Sequence, residues 1–234
     1  MIVGNLEALV VHKDVKHLHL SVLPPHGKVR VTAPLDTKDD QVRVFLTTKL
    51  AWIRKQQAKF LSQRRQTQRK YVSGETYYYL GQPYRLRVEK AKQNAEVVLQ
   101  GKDTMILRIE PKASTQRKEQ IVTEWYREQL KQLLSELIPK WHKKLQVQPK
   151  HWRIQRMKTR WGTCNPDTGR ILLNLELIKK PVECIEYVLV HEWLHLLEPK
   201  HNDTFVKLLT KHFPKWKHAK DELNRFILSY ERWD

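Results

Sequence analysis

VECIEYVLVHEWLHLL, residues 182–197, is an apolar segment that contains the pattern His-Glu-x-x-His at His191, Glu192 and His195. Its apolar residues on nearly every side predict a buried helix, which we expect to span residues 181–197. Side chains four positions apart share one face of a helix, about 6 Å apart along its axis, so both imidazoles can bind one metal ion. Glu192 lies about 100° further round the helix, where it suits a general base.

Chance is the alternative explanation for such a short pattern, and the apolar surroundings argue against it. They predict that Glu192 lies at low solvent exposure. Burying an ionised carboxylate between two imidazoles without a partner costs several kcal/mol, and a divalent cation offsets that cost. The segment therefore predicts a metal site, and zinc is the ion expected at histidines with this spacing.

A catalytic zinc site needs a third protein ligand and an open position for water. His201 is the best candidate, because Pro199 ends the helix and lets the chain turn back. Glu198 is the second candidate, since it follows His195 by three residues. Weaker candidates lie in the last predicted helix: Asp221 and Glu222.

The chain is strongly basic, since 44 Lys and Arg against 25 Asp and Glu give its 234 residues a formal charge of +19. Two stretches, residues 49–70 and 140–160, each contain eight Lys or Arg and no acid. Either stretch alone is most simply a solvated surface. Trp141, Trp152 and Trp161 are interleaved with the bases of the second stretch, as in surfaces that bind phosphates or single-stranded nucleic acid, although tryptophan is more commonly a core residue. The stretches 49–70 and 140–160 are therefore either solvated surfaces or a surface that binds nucleic acid.

Membrane and secreted classes are not supported by the sequence. No apolar run approaches the roughly 20 residues that span a bilayer, and residues 1–15 lack the basic start and apolar core of a secretion signal. Cys164 and Cys184 are too few for a disulfide scaffold. We expect a cytoplasmic protein.

The order of predicted elements indicates an α+β fold in two parts. Residues 1–112 are expected to form a β-rich part with one long helix. That part begins with a hairpin over residues 18–31. Its helix is expected between Asp36 and about Gln66.

The second part, residues 113–234, is expected to begin with another long helix, which Pro139 kinks or ends. A hairpin between residues 152–154 and 171–175 should follow, with its turn at residues 165–169. Three helices then close the chain, and the pattern described above lies on the first of them.

Three motifs together resemble a known family. They are Trp161-Gly162-Thr163-Cys164, residues 169–174 leading into Leu177, and the His-Glu-x-x-His pattern followed by Pro199, His201 and Phe205. In combination, and with residues 18–53, they are similar to the YgjP-like metallopeptidases, formerly a domain of unknown function. That family is distantly similar to SprT-type zinc proteases. The resemblance covers nearly the whole chain, from residue 16 to 230.

The resemblance implies a zincin-like catalytic part that holds one zinc ion. Its implied ligands are His191, His195 and His201, with Glu192 as the catalytic carboxylate. Cys164 is then expected to be a small residue in a tight hairpin, since three histidines suffice as ligands.

Peptide-bond hydrolysis is the activity that follows from the resemblance, with a peptide or protein as substrate. In a zincin-like fold the strand over residues 171–175 is expected to offer its edge to an extended peptide. The group that stabilises the oxyanion is left open among three candidates: Arg160, Tyr187 and His218.

Two further functions are alternatives. The same site can hydrolyse the phosphoanhydride of a nucleotide, whose phosphates would be held by the bases before Trp161: Arg153, Arg156, Lys158 and Arg160. A nucleic-acid-binding module with a structural metal is the other alternative. It is disfavoured because structural zinc is usually closed by four protein ligands.

Overall fold

The computed structural model of the protein describes residues 1–23, 27–62, 69–157 and 160–225. Among these residues the chain forms two compact units, the first up to residue 62 and the second from residue 69 onward. The boundary expected between residues 112 and 113 falls inside the second unit. The reason is that the strands before it and the helix after it share one hydrophobic core.

The first unit consists of a four-stranded sheet and one helix. Its strands have the order β1-β2-β4-β3 and are β1 Ile2–Val3, β2 Leu6–His12, β3 His19–Leu23 and β4 Lys28–Ala33. The helix α1, Asp39–Ser62, buries Val42, Leu46 and Ile53. Strands β3 and β4 form the predicted antiparallel hairpin. Its turn at residues 24–26 and the predicted helix end near Gln66 lie outside the described residues.

The second unit begins with a four-stranded sheet of order β5-β6-β8-β7. Its strands are β5 Thr76–Tyr79, β6 Gln82–Lys90, β7 Glu96–Gln100 and β8 Thr104–Ile109. A long helix, α2, follows over Thr115–Leu145. The hydroxyl of Ser114 caps it by accepting a hydrogen bond from the N–H of Arg117.

Pro139 was expected to kink or end α2, and of these two outcomes the ending is wrong, because the helix continues to Leu145. Proline removes one hydrogen bond from a helix, and the tertiary packing of an apolar row can offset that loss. The buried row runs on both sides of the proline and comprises Leu130, Leu134, Leu137, Trp141 and Leu145. Trp141 is therefore a core residue, and its indole N–H donates to Glu186 at 2.9 Å.

The third sheet has the order β10-β11-β9, with strands β9 His151–Gln155, β10 Gly162–Asn165 and β11 Arg170–Asn174. The hairpin expected between residues 152–154 and 171–175 is wrong, because β9 pairs with β11 in parallel. The antiparallel hairpin is instead β10–β11. In its turn the side chain of Asn165 accepts a hydrogen bond from the N–H of Thr168, and this tight turn joins the two strands that flank it directly.

Three helices close the described chain, as predicted. They follow a 3-10 turn at Leu175–Lys179 and are α3 Val182–Leu194, α4 Asp203–His212 and α5 Trp216–Arg225. Helix α3 is buried over most of its length and packs against β10, β11, α4 and α5. Within the described residues no helix combines the length and the apolar character needed to cross a membrane.

Candidate metal centre

The last turn of α3 carries His191 and Glu192. His195 directly follows the helix and keeps helical backbone angles, so it stays on the face of His191 as the spacing predicts. The chain then turns and places His201 just before Asn202, whose side chain caps α4. Two helix ends and the turn between them therefore position three imidazoles.

The three imidazoles converge through their Nε2 atoms. His201 Nε2 lies 2.9 Å from His191 Nε2 and 3.1 Å from His195 Nε2. Nitrogen ligands about 2.0–2.1 Å from a tetrahedral zinc ion lie roughly 3.3 Å apart, which is close to these separations. This donor set fits a metal ion.

The Nδ1 atoms of His195 and His191 lie in different surroundings. His195 Nδ1 lies 3.1 Å from the carbonyl oxygen of Glu198, and it carries the proton because a carbonyl only accepts. Nδ1 of His191 is buried without a hydrogen-bond partner among the described residues. Phe205 packs on all three rings, with centroids 4.9, 4.7 and 4.9 Å from those of His191, His195 and His201. Aromatic packing therefore orients His191 where a hydrogen bond does not.

The electrostatics of the centre favour neutral imidazoles. Burial, with added repulsion from His195 and His201, lowers the pKa of His191 to about 3. Burial also lowers the pKa of His195. Neutral imidazole is the form that binds a metal ion, so burial favours the metal-binding form of both side chains.

Glu192 is 9% exposed and lies beside strand β10. Burial raises the pKa of its carboxyl to about 7, and the positive charge of Arg160 acts in the opposite direction. Gly162 makes room for this side chain, because a Cβ at that position would lie 2.6 Å from Cγ and 2.9 Å from Oε1 of Glu192. A carboxyl with a pKa near neutrality can both take up and release a proton at physiological pH.

This raised pKa predicts a pH dependence for the metal-free protein. A carboxyl whose pKa is higher in the folded state stabilises the fold below its unfolded pKa of 4.5, and that contribution is lost as the pH rises toward 7. In the presence of a chelator, we expect Glu192→Gln to gain stability relative to the wild type between pH 5 and pH 8. Urea unfolding of both proteins at the two pH values measures this, and a pH-independent difference would contradict it.

Asn174, at the end of β11, anchors the chain segment that leads to Arg160 and Gly162. Its amide group donates to the carbonyls of Met157 and Arg160, both at 2.7 Å. Its side-chain oxygen accepts hydrogen bonds from the N–H groups of Met157 and Glu176. The residue is fully buried, so these bonds hold the backbone of Met157 and Arg160 in place.

Asn174→Ala is therefore expected to destabilise the protein by about 2–4 kcal/mol, since each buried group left without a partner costs about 1–3 kcal/mol. The free energy of unfolding in urea measures this. Asn165→Ala is the matched control, because its side chain makes one hydrogen bond in an exposed turn. Equal losses of stability in the two variants would contradict the anchoring role.

Of the basic residues predicted to hold phosphates, the three that the structure describes are not gathered at the centre. Among these three, only Arg160 acts on Glu192. Arg153 is exposed on β9, and Arg156 donates to Glu119 at 3.0 Å. Lys158 lies outside the described residues.

The alternative ligand and oxyanion candidates occupy other places. Glu198 contributes its backbone carbonyl, while its carboxylate accepts a hydrogen bond from the N–H of Lys200. Tyr187 is buried, with its ring centroid 5.7 Å from that of His191. His218 and Glu222 form a separate cluster with Glu183, and Asp221 is exposed beside it.

Cys164 lies half-buried on β10. Burial raises the pKa of its thiol to about 11, with a smaller contribution from the charge of Glu192. The thiol is therefore protonated at neutral pH, in agreement with the structural role expected for it.

Three supporting residues were not predicted to have a role in the site: Gly162, Asn174 and Phe205. Phe205 and Gly162 belong to the recognised motifs, but only tertiary structure brings them against the histidines and Glu192. The sequence did contain a signal for Asn174, because it is a polar residue at the end of an apolar strand.

The protein combines a three-histidine cluster, a neighbouring carboxyl of raised pKa and a mixed α+β fold. These features make it a candidate metal-dependent hydrolase. The model of the YgjP-like metallopeptidase domain matches residues 16–226, so the chain belongs to the YgjP-like family. This confirms the family resemblance of the sequence motifs and makes the protein a metallopeptidase at family level, for which a metal ion is implied.

Other comparisons add little. The crystal structure of the metallopeptidase zymogen of Pyrococcus abyssi abylysin is similar at 24% identity over 38% of this chain and 90% of that one, with a TM-score of 0.36. No curated protein matches the chain.

Proposed function

We propose that the protein is a zinc-dependent peptidase that uses His191, His195 and His201 as metal ligands and Glu192 as general base. The observation that carries this proposal is the convergence of three Nε2 atoms next to a buried carboxyl. Zinc bound there supplies Lewis-acid activation of a water molecule and of the scissile carbonyl.

The protein's own groups account for the proton transfers. Glu192 takes a proton from the attacking water onto its carboxylate and delivers it to the nitrogen of the departing amine. Burial supports both steps, because a pKa of about 7 balances uptake against release. Arg160, which acts on the charge of Glu192, is the favoured candidate among the three for stabilising the oxyanion.

Strand β10 is the proposed binding edge for the peptide. The expected edge, residues 171–175, is unsuitable because β11 is the middle strand and pairs on both sides. Among the described residues β10 pairs only with β11, and its first residue, Gly162, lies against Glu192. An extended peptide that adds to the free edge of β10 would pass close to the catalytic carboxyl.

Digestion of an unfolded protein such as reduced casein tests the proposal. The zinc-loaded protein should produce new peptide termini, detected by mass spectrometry, and Glu192→Gln prepared in the same way should not. Absence of cleavage across a broad peptide library, by a protein shown to contain zinc, would contradict peptidase activity.

Phosphoanhydride hydrolysis is the second candidate function, and the positive charge at the centre favours it. Arg160 acts on Glu192, and Lys220 on α5 contributes to the lowered pKa of His191. Two such cations suit the phosphates of a nucleotide. Release of phosphate from nucleoside triphosphates by the wild type, but not by Glu192→Gln, would favour this function over peptide cleavage.

A nucleic-acid partner also remains a proposal. Exposed bases of the stretch 140–160 include Lys143, Lys150 and Arg153. Trp141 belongs to the core and Trp152 packs against it, so recognition would rely on charge rather than on base stacking. Affinity for single-stranded nucleic acid that falls steeply with salt would support such a partner.

A further inference from the structure

We propose that Glu183, His218 and Glu222 form a second divalent-metal site, separate from the three-histidine centre. Their ligand atoms, two carboxylate oxygens and one imidazole nitrogen, all lie within 4.8 Å of one another. None of the three residues belongs to the motifs that identify the family. The site rests on these positions alone and does not depend on the proposed peptidase function.

Two packed helices present the ligands. Glu183 is in the first turn of α3, whereas His218 and Glu222 lie one turn apart on α5. The spacing of four residues puts His218 and Glu222 on one helix face, which is the arrangement that binds metals on helices. Buried Ala219 and Leu223 hold α5 within the core that also contains α3, so the ligands are brought together before any ion binds.

A buried thiol holds one of the ligands. Cys184 is fully buried, and its Sγ lies 3.7 Å from Oε2 of Glu222 and 3.6 Å from the carbonyl oxygen of Ala219. The thiol donates to the carboxylate and restricts its rotation, as outer contacts of metal ligands commonly do. Glu222 therefore carries a preset orientation that a merely solvated surface carboxylate lacks.

Charge also favours a cation at this position. Two carboxylates within 4.8 Å of each other repel, and they repel more strongly where solvent is partly excluded. The imidazole of His218 is near enough to share an ion with them, since its Nδ1 lies 4.0 Å from Oε2 of Glu183. One nitrogen and two oxygen donors suit zinc and its neighbours in the first transition series better than calcium or magnesium.

Occupation of the site would link the start of α3 to α5. Helix α3 carries His191 and Glu192 at its other end, and Lys220 on α5 acts on His191. His218 is 74% exposed, so an ion there would exchange readily with solvent. We therefore infer a weaker, exchangeable site that stabilises the packing of α5.

The metal stoichiometry of the protein tests the inference. Zinc is titrated into chelator-treated protein by calorimetry, and cobalt binding is followed by its visible absorption. We expect two equivalents for the wild type and one for His218→Ala or Glu222→Gln. His195→Ala should keep the equivalent that those variants lose, and its thermal midpoint should still rise with that ion.

Asp221→Asn is the matched control, because Asp221 is exposed on α5 outside the cluster. It should bind two equivalents. Circular dichroism before metal addition shows whether each variant is folded, and His218→Ala changes an exposed side chain that the core does not need. One equivalent in the wild type, or two in His218→Ala, would overturn the second site. A failure of the peptidase proposal would instead appear as absent cleavage with both equivalents bound.

Discussion

Glu192→Gln is expected to lower kcat by about a thousandfold or more while the protein still binds zinc, because loss of a general base typically costs about 10²–10⁴ in rate. Glutamine has the same shape and fits the space beside Gly162. It removes no imidazole from the centre, and its amide oxygen is too weak a base to take the proton. Rate and zinc content measured on the same preparation separate the chemical effect from metal loss.

Glu198→Gln is the matched control for that experiment. Its carboxylate accepts a hydrogen bond from the N–H of Lys200, and its charge acts on His195 only as a minor contribution. The hydrogen bond to His195 comes from the backbone carbonyl of Glu198, which the substitution leaves in place. The control should therefore retain most of the activity. A Glu192→Gln variant that keeps more than about a tenth of the wild-type kcat would show that another group acts as the base, since a tenfold loss corresponds to only about 1.4 kcal/mol.

Gly162→Ala is expected to reduce kcat by about a hundredfold with the zinc still bound, because displacing a catalytic group by about 1 Å can cost that much. The added methyl carbon would lie 2.6 Å from Cγ of Glu192, closer than real contacts allow, so the carboxyl must move. Backbone strain is not the cause, since Gly162 is not among the residues with positive φ.

Thr163→Ala serves as the comparison on the same strand. In a β-strand neighbouring side chains point to opposite faces, so Thr163 points away from Glu192. This variant should keep near-normal kcat and stability. Undiminished activity in Gly162→Ala, or loss of its zinc, would contradict the view that this glycine places the carboxyl.

The convergence of the three histidines was predictable because their geometry is local. The spacing of His191 and His195 fixes one helix face. Pro199 predicts that the helix ends before it, and α3 does end at Leu194, so the chain can turn back and bring His201 to His191. The β3–β4 hairpin was predictable for the same reason, since its strands are close in sequence.

Features that depend on long-range packing were not predictable. Parallel pairing of β9 with β11 leaves no turn signal between them. The sequence left open whether α2 ends at Pro139, because the buried row on both sides of the proline is visible only in the folded core. The contact of Gly162 with Glu192 joins a strand to a helix, and no periodicity in the sequence encodes it.

Restoration of peptidase activity by zinc tests the central proposal most directly. Chelator-treated wild type and His201→Ala are titrated with zinc while cleavage of one peptide substrate is followed. The proposal predicts that activity appears in the wild type as the three-histidine centre fills and stays absent in His201→Ala at the same zinc concentrations. Activity that persists in the chelated protein, or equal activity in His201→Ala, would contradict it.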